Sequence, residues 1–324
     1  MFSLGDTATL RAAAQCPLWV GSGHSLLARN RKGSVMDLKT SGDHGQSPTR
    51  IPLSSLPPRD WAAAARALDE DGAVHLPGAL TAEGLARVEA GVDAALASPS
   101  AHAKRFYPKE EATFQEDTGH RLIGVVREAG IDTTLAALWG LPDFWYLGEQ
   151  LFLKEGGRAR RTPWHQDTSY LRMMGSQLVA CWISLDPLPK RHCLEFVRGS
   201  HRGTLYNGSA FAADDDTAPL YGHSRLPRLP DIEADRANWD IVSWDVAPGD
   251  LIFFHLGVLH GGAGTEPGMR RRTVSLRFLG PDVVYDGRPR DEKGAQEGND
   301  VALSGMYAGL RHGDPFRTGV LAKI

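Results

Sequence analysis

Long apolar runs are missing from this 324-residue chain. None reaches the ~18 residues that mark a membrane-spanning helix, so no membrane span is expected. A surplus of positive charge is missing as well. The formal net charge is −3, which argues against the basic face that nucleic-acid binding requires. Cysteine is scarce. Cys16, Cys181 and Cys193 are too few, and odd in number, for a disulfide framework. None of them has the spacing of a zinc cluster. A reducing compartment, the cytoplasm, is the simple inference, and Cys181 beside Trp182-Ile183 reads as a small core residue. What is present is ordinary for a globular protein: 42% hydrophobic and 23% charged residues. Thirty-six glycines and 20 prolines suit a turn-rich β protein.

Residues 1–50 hold six basic and three acidic residues without sustained periodicity, and read as a flexible N-terminal extension. Their first apolar cluster, Leu18-Trp19-Val20, is too short for a secretory signal. A single catalytic domain is expected over 51–324. Asp60 is placed to cap a helix running from Trp61 to Asp69. Ala73-Val74-His75-Leu76 reads as a strand, and Thr81 caps a second helix. Leu85, Val88, Val92 and Leu96 form its core-facing stripe. A third helix covers Asp132 to Trp139, stopped by Gly140. Strands follow at 144–147, 150–153, 177–185 and 193–197. Helices first and strands afterwards predict an α+β, mainly β chain with a barrel core. The 203–240 segment, with Asp214-Asp215-Asp216 and several prolines, reads as a loop insertion bordering the pocket. Tyr307 and Phe316 could anchor the C-terminal tail on the barrel.

The chemistry concentrates in Trp164-His165-Gln166-Asp167 and the remote His260. On an extended chain residues i and i+2 face the same way, so His165 and Asp167 can converge on one metal. With His260 they make a 2-His-1-carboxylate set, which suits non-haem Fe(II) with open coordination positions. Gln166 points away or to the pocket rim. Pro248-Gly249-Asp250 is a turn, and Leu251 to Phe254 is a buried strand. Val258-Leu259-His260 reads as a further strand piece, broken by Gly261, Gly262 and Gly264. From Arg271 to Phe278 the pattern alternates. Val274, Leu276 and Phe278 take one face, and Arg271, Thr273, Ser275 and Arg277 take the other. An Arg and a hydroxyl on one face can bind a carboxylate, as of 2-oxoglutarate. Each piece alone has a plainer reading: a surface His-x-Asp loop, a satisfied polar His260, a solvated Arg270-Arg271-Arg272 turn. Their order in one chain favours the metal site.

On Thr162 to Asp167, Leu194 to His201, Pro248-Gly249-Asp250 before His260, and Arg271 to Phe278, the chain resembles the phytanoyl-CoA dioxygenase family of Fe(II)/2-oxoglutarate oxygenases. The resemblance implies a double-stranded β-helix, a jelly-roll or cupin-like barrel, with flanking N-terminal helices. It implies His165, Asp167 and His260 as iron ligands, Arg271 on the distal carboxylate of 2-oxoglutarate, and Thr162 and Trp182 in the co-substrate pocket. The activity implied is dioxygenation with O₂ as second co-substrate, hydroxylating a small organic molecule and releasing succinate and CO₂. Halogenases of related type carry a small residue where Asp167 stands. The chain departs from the family's Asn-Gly and Pro-Gly-Ser-His words at Arg191-His192-Cys193 and Arg198-Gly199-Ser200-His201.

Gln150 and Lys154, on the preceding strand, are candidate substrate contacts, with Gln166 beside them. Arg158, Arg160 and Arg161 form a basic cluster that could steer an anion, or simply be solvated. Trp164, Trp182 and Phe254 are candidate pocket walls. Two other classes use the same residues: a metal-dependent hydrolase or isomerase, which leaves Arg271 without a task, and a non-catalytic binding protein on a retained barrel. The expected partner is a small-molecule substrate, with neither nucleic acid nor membrane.

Overall fold

The computed structural model describes residues 50–100, 120–154, 159–212, 214–222, 224–288, 306–319 and 321–324, and the backbone of 112–117. The extension expected over 1–50 lies, apart from residue 50, outside the described residues. No helix among the described residues is long and apolar enough to cross a membrane.

Helix α1 spans Trp61–Asp71, with the Asp60 carboxylate accepting the Ala63 N–H at 2.9 Å. That cap satisfies one of the free N–H groups of the first turn. Gly72, in the left-handed region at φ +79°, ends the helix and lets the chain turn into β1, Ala73–Leu76. Helix α2 covers Ala82–Ala97 behind its Thr81 cap, and buries Val88, Val92 and Ala95 along one stripe. Strand β2, Ala112–Asp117, precedes α3, Ile123–Glu128, and α4, Ile131–Trp139. Sequence periodicity does not reveal α3. Its six residues are fewer than two helical turns, too short to show a face.

The remaining strands are β3 Trp145–Lys154, β4 Thr162–His165, β5 Met173–Met174, β6 Leu178–Ser184 and β7 Leu194–Val197. They are followed by β8 Ile241–Val242, β9 Leu251–His255, β10 His260–Gly262, β11 Arg271–Leu279, β12 Val284–Tyr285 and β13 Ala322–Lys323. The major sheet runs β1-β9-β6-β11-β3-β13, with β2 also paired to β3. The minor sheet runs β4-β10-β7-β8. This is the double-stranded β-helix expected, with the helices on one side.

Two local readings are corrected. The pieces expected at 144–147 and 150–153 are one strand, β3. A bulge joins them: Gly148 pairs with Arg277 and Tyr146 with Phe278, so Leu147 is left over. One extra residue inverts the inward-outward phase, which is why the two halves read as separate. Likewise Gly261 and Gly262 do not break a strand; with His260 they form β10.

Alternation along β6, β9 and β11 divides two cores. Val179, Cys181, Ile183, Phe253, Val274, Leu276 and Phe278 pack outward against residues such as Leu68, Val88 and Leu135 of the helices. Ala180, Trp182, Ile252 and Phe254 point inward, toward Cys193 and Phe196 of the minor sheet. The Phe196 and Phe254 rings meet at 5.2 Å between centroids. Tyr307 and Phe316 join this inner core and hold the C-terminal segment to it. Burying a Phe or Leu side chain in this way contributes roughly 1.5–3 kcal/mol each.

Candidate active site

The mouth between the sheets opens where β4 pairs with β10. His165 and His260 are direct cross-strand partners, and their ring centroids lie 4.2 Å apart. After His165, Gln166 stays extended (φ −119°, ψ 125°), and Asp167 begins a tight 3₁₀ turn. The extended link keeps the His165 and Asp167 side chains on one side. Ligand atoms from His165, Asp167 and His260 all lie within 4.8 Å of one another, and all three residues are buried.

Neighbouring carbonyls orient both rings. His165 Nδ1 lies 2.8 Å from the Pro163 carbonyl, and His260 Nδ1 lies 3.0 Å from that of Val258. A carbonyl only accepts, so each Nδ1 carries the donated proton, and each Nε2 turns toward Asp167. The Nε2–Oδ1 distances are 3.4 Å from His165 and 3.9 Å from His260. Burial pushes His260 down to about 4, so it is neutral at neutral pH. Burial acts to raise the Asp167 carboxyl. The close contact with His165 and the charge of Arg277 outweigh it and hold Asp167 below the usual carboxylate range. Two imidazole lone pairs and a carboxylate oxygen thus converge with no donor among them. A cation between them resolves that repulsion, and the nitrogen–oxygen donor set suits Fe(II).

Arg271 stands at the start of β11, only 5% exposed. Its Nη1 donates to the carbonyls of His192 (3.0 Å) and Ala263 (2.9 Å). Its buried Nε has no hydrogen-bond partner among the described residues. Burial lowers its pKa from the ordinary value, yet an arginine remains charged in a protein. A buried guanidinium with an unsatisfied donor fits an incoming carboxylate. The departure at Arg191-His192-Cys193 acquires a place here, because the His192 carbonyl braces this guanidinium.

Both groups line one cavity, together with Gln150, Phe152, Thr162, Trp182, Leu194, Phe211, Phe254, Thr273 and Ser275. Thr273 and Ser275 share the inward face of β11 with Arg271, and Ser275 sits between its register partners Gln150 and Trp182.

Three expected residues are not brought to the cavity. Gln166 is buried, and its amide donates to the carbonyls of Thr204 (3.1 Å) and Gly257 (2.8 Å) while accepting the Tyr206 N–H at 2.9 Å. It staples loops together instead of facing substrate. Lys154 sits at the end of β3 with its Nζ 3.5 Å from the Arg160 carbonyl, outside the cavity lining. Trp164 also lies outside that lining, and its indole N–H donates to Glu233 at 2.6 Å. Nor does the basic cluster remain free. Arg161 pairs with Glu195 and Glu233, and Arg160 pairs with Asp216. Arg158 lies outside the described residues. The acidic triplet is engaged through Asp215 with Arg228 and Asp216 with Arg160.

Sequence reasoning passed over Phe152, Leu194 and above all Phe211. Phe211 comes from the 203–240 segment and has φ +54°. That is costly for a bulky side chain, on the order of 1–3 kcal/mol. Only a contact between distant segments reveals it.

Comparison with known proteins agrees with this geometry. A family profile described as phytanoyl-CoA dioxygenase (PhyH) matches residues 68–273. The peroxisomal phytanoyl-CoA dioxygenase of Homo sapiens is 26% identical over 146 residues, 44% of this chain and 40% of the human protein. A probable phytanoyl-CoA dioxygenase of Caenorhabditis elegans is 23% identical over 130 residues, 40% of this chain and 39% of the relative. The matches thus span about two fifths of these curated relatives. Among solved structures, the epimerase SnoN in complex with Fe³⁺, α-ketoglutarate and nogalamycin RO aligns over 81% of this chain and 98% of its own, with TM-score 0.57 and 20% identity. The α-ketoglutarate-dependent carbocyclase SnoK aligns over 86% and 100%, with TM-score 0.58 and 19% identity. EctD from S. alaskensis, with 2-oxoglutarate and 5-hydroxyectoine, aligns over 79% and 88%, with TM-score 0.52 and 20% identity. At these identities the structural likeness shows the fold, and the family profile, which covers more than half of the chain, shows that it belongs to the phytanoyl-CoA dioxygenase (PhyH) family.

Proposed function

We propose that this chain is an Fe(II)- and 2-oxoglutarate-dependent dioxygenase that hydroxylates a small organic molecule, in one catalytic domain over 51–324. One observation carries the reading. The buried His165–Asp167–His260 cluster and the guanidinium of Arg271, with its unsatisfied Nε, open into the same cavity. A hydrolase or isomerase that does not use 2-oxoglutarate has no task for that cation.

In this reading His165, Asp167 and His260 hold the iron, and Arg271 holds the distal carboxylate of 2-oxoglutarate. Fe(II) bound there would supply O₂ activation at the expense of 2-oxoglutarate, with succinate and CO₂ as co-products. The chain's own residues do the rest. Pro163 and Val258 fix the tautomers of the two histidines through their carbonyls. Thr273, Ser275 and Thr162 offer hydroxyls to the co-substrate from the cavity wall, and Trp182 flanks it. Gln150, 6% exposed, faces the cavity beside Ser275 and is the polar contact for substrate or co-substrate. Phe152, Leu194 and Phe254 exclude water from the reacting centre. The free, buried thiols of Cys181 and Cys193 support a reducing, cytoplasmic setting.

The test is an anaerobic titration of purified protein with Fe(II) and then 2-oxoglutarate. The chelate should give a weak visible charge-transfer band. Bound metal with no band on adding 2-oxoglutarate would overturn the reading.

A further inference from the structure

We infer that Phe211 is the specificity-determining residue of this pocket: its ring walls the cavity beside His165 and selects substrates that present a flat, uncharged hydrocarbon face. The inference rests on the dioxygenase reading of the same cavity.

Phe211 belongs to neither sheet, and it is the one lining side chain drawn from the 203–240 segment among the described residues. Its left-handed backbone, φ +54°, is a conformation that persists only where the surroundings over-determine it. Here they do. Ser209 Oγ accepts the Phe211 N–H at 2.9 Å, and the Tyr170 hydroxyl donates to the Ser209 carbonyl at 2.8 Å. Arg160, on the approach to β4, donates to the Ala212 carbonyl at 2.7 Å and pairs with Asp216. The Ala210 N–H donates to the Ala218 carbonyl at 2.7 Å, next to the Ser209–Pro219 bridge. The product of this bracing is one ring placement. Phe211 stacks on Tyr170 (5.8 Å, 19°) and stands edge-on to His165 (5.4 Å, 71°), while still lining the cavity.

The surroundings specify what such a wall would accept. Trp182 and Phe254 add two aromatic surfaces to the same cavity. Arg271, the arginine of the described lining, is assigned to the co-substrate. An aromatic face gains from a flat ring laid against it or meeting its edge. A charged group there would lose its hydration without a counter-ion.

The probes are 2-naphthol and its charged analogue 2-naphthalenesulfonate. Binding is measured by calorimetry on metal-free protein and on protein loaded anaerobically with Fe(II) and 2-oxoglutarate. We expect saturable binding of the naphthol to both forms, none of the sulfonate to the loaded protein, in which 2-oxoglutarate occupies Arg271, and about tenfold weaker naphthol binding in Phe211→Ala with the chelate band intact. Phe211→Gly, which adopts φ +54° without strain, should behave like the alanine variant and guards against a collapsed hairpin. The inference is overturned if both variants bind the naphthol as tightly as the parent. It is equally overturned if the sulfonate binds the loaded protein as well as the naphthol does, or if the parent binds neither. Naphthol binding that depends on Phe211, in protein that never forms the chelate band, would remove the dioxygenase reading and leave the assignment of Phe211 standing.

Discussion

Arg277 Nε lies 3.8 Å from Asp167 Oδ2, so a cation on the major sheet faces the one carboxylate of the cluster at the edge of the minor sheet. Both side chains are below a tenth exposed. Arg277 shares its face of β11 with Arg271, so one strand sends charge to the metal-candidate carboxylate and to the co-substrate end of the cavity. The arrangement keeps Asp167 ionised despite its burial and ready to act as a ligand.

Removing that carboxylate should abolish turnover. Asp167→Ala is expected to lower Fe(II) affinity by more than the roughly 10–100-fold that changes around a metal's ligands cost. Metal content after anaerobic dialysis, read alongside succinate release, checks this. Full hydroxylation by the variant would remove Asp167 from the ligand set.

Arg271→Ala should weaken 2-oxoglutarate binding by roughly 100-fold, as expected for loss of a buried charge-assisted contact. Fe(II) binding should stay intact. Arg271→Lys retains the charge but not the planar fork, and should recover only part of the loss. The chelate band, titrated in each variant, separates the two effects. Equal affinities in all three proteins would detach Arg271 from the co-substrate.

Gln166→Leu is expected to act on stability rather than on co-substrate binding. The amide makes three hydrogen bonds to the backbone of Thr204, Tyr206 and Gly257. Losing them leaves buried backbone groups unsatisfied and should cost about 3 kcal/mol. Urea unfolding measures that. A variant as stable as the parent, but defective in substrate binding, would return Gln166 to the pocket.

Acid should destabilise the metal-free protein well above the carboxylate range. Burial is the main cause that pushes both His255 and His260 down to about 4. In the unfolded chain each takes up its proton near pH ~6.5. Between those values the unfolded state binds protons that the folded state refuses. Stability is therefore fully present above pH ~6.5 and is lost as pH falls toward ~4, by about 1.4 kcal/mol per pH unit for each histidine. His255 lies away from the metal-candidate cluster, with Nε2 3.0 Å from the Gly175 carbonyl. His255→Gln should therefore roughly halve the slope of stability against pH. An unchanged slope in urea midpoints would count against this account.

The barrel and most of its chemistry were legible in the chain because they rest on short periods. Asp60 and Thr81 announce α1 and α2, since a cap is a local hydrogen bond. The alternation of β11 places Arg271, Thr273 and Ser275 on one face, since side chains alternate along any strand. His165 and Asp167 converge through the same rule. Helix α3 was not legible because it is too short to repeat. The unity of β3 was hidden because the bulge at Leu147 shifts the phase midway.

By itself, then, the sequence determined the α+β, mainly β class, the His165–Asp167 pair and the strand that carries Arg271, all from residue types at fixed local spacing. The remote His260 joined the ligand set through motif order, and the double-stranded β-helix came through the family resemblance. Only the tertiary structure decided that Gln166 staples loops, that Lys154 and Trp164 stand outside the cavity, that Arg277 faces Asp167 and that Phe211 reaches His165. The physical reason is that each of these depends on contacts between segments far apart in the chain. Their partners are chosen by how the sheets and the hairpin pack, and no local period records that choice.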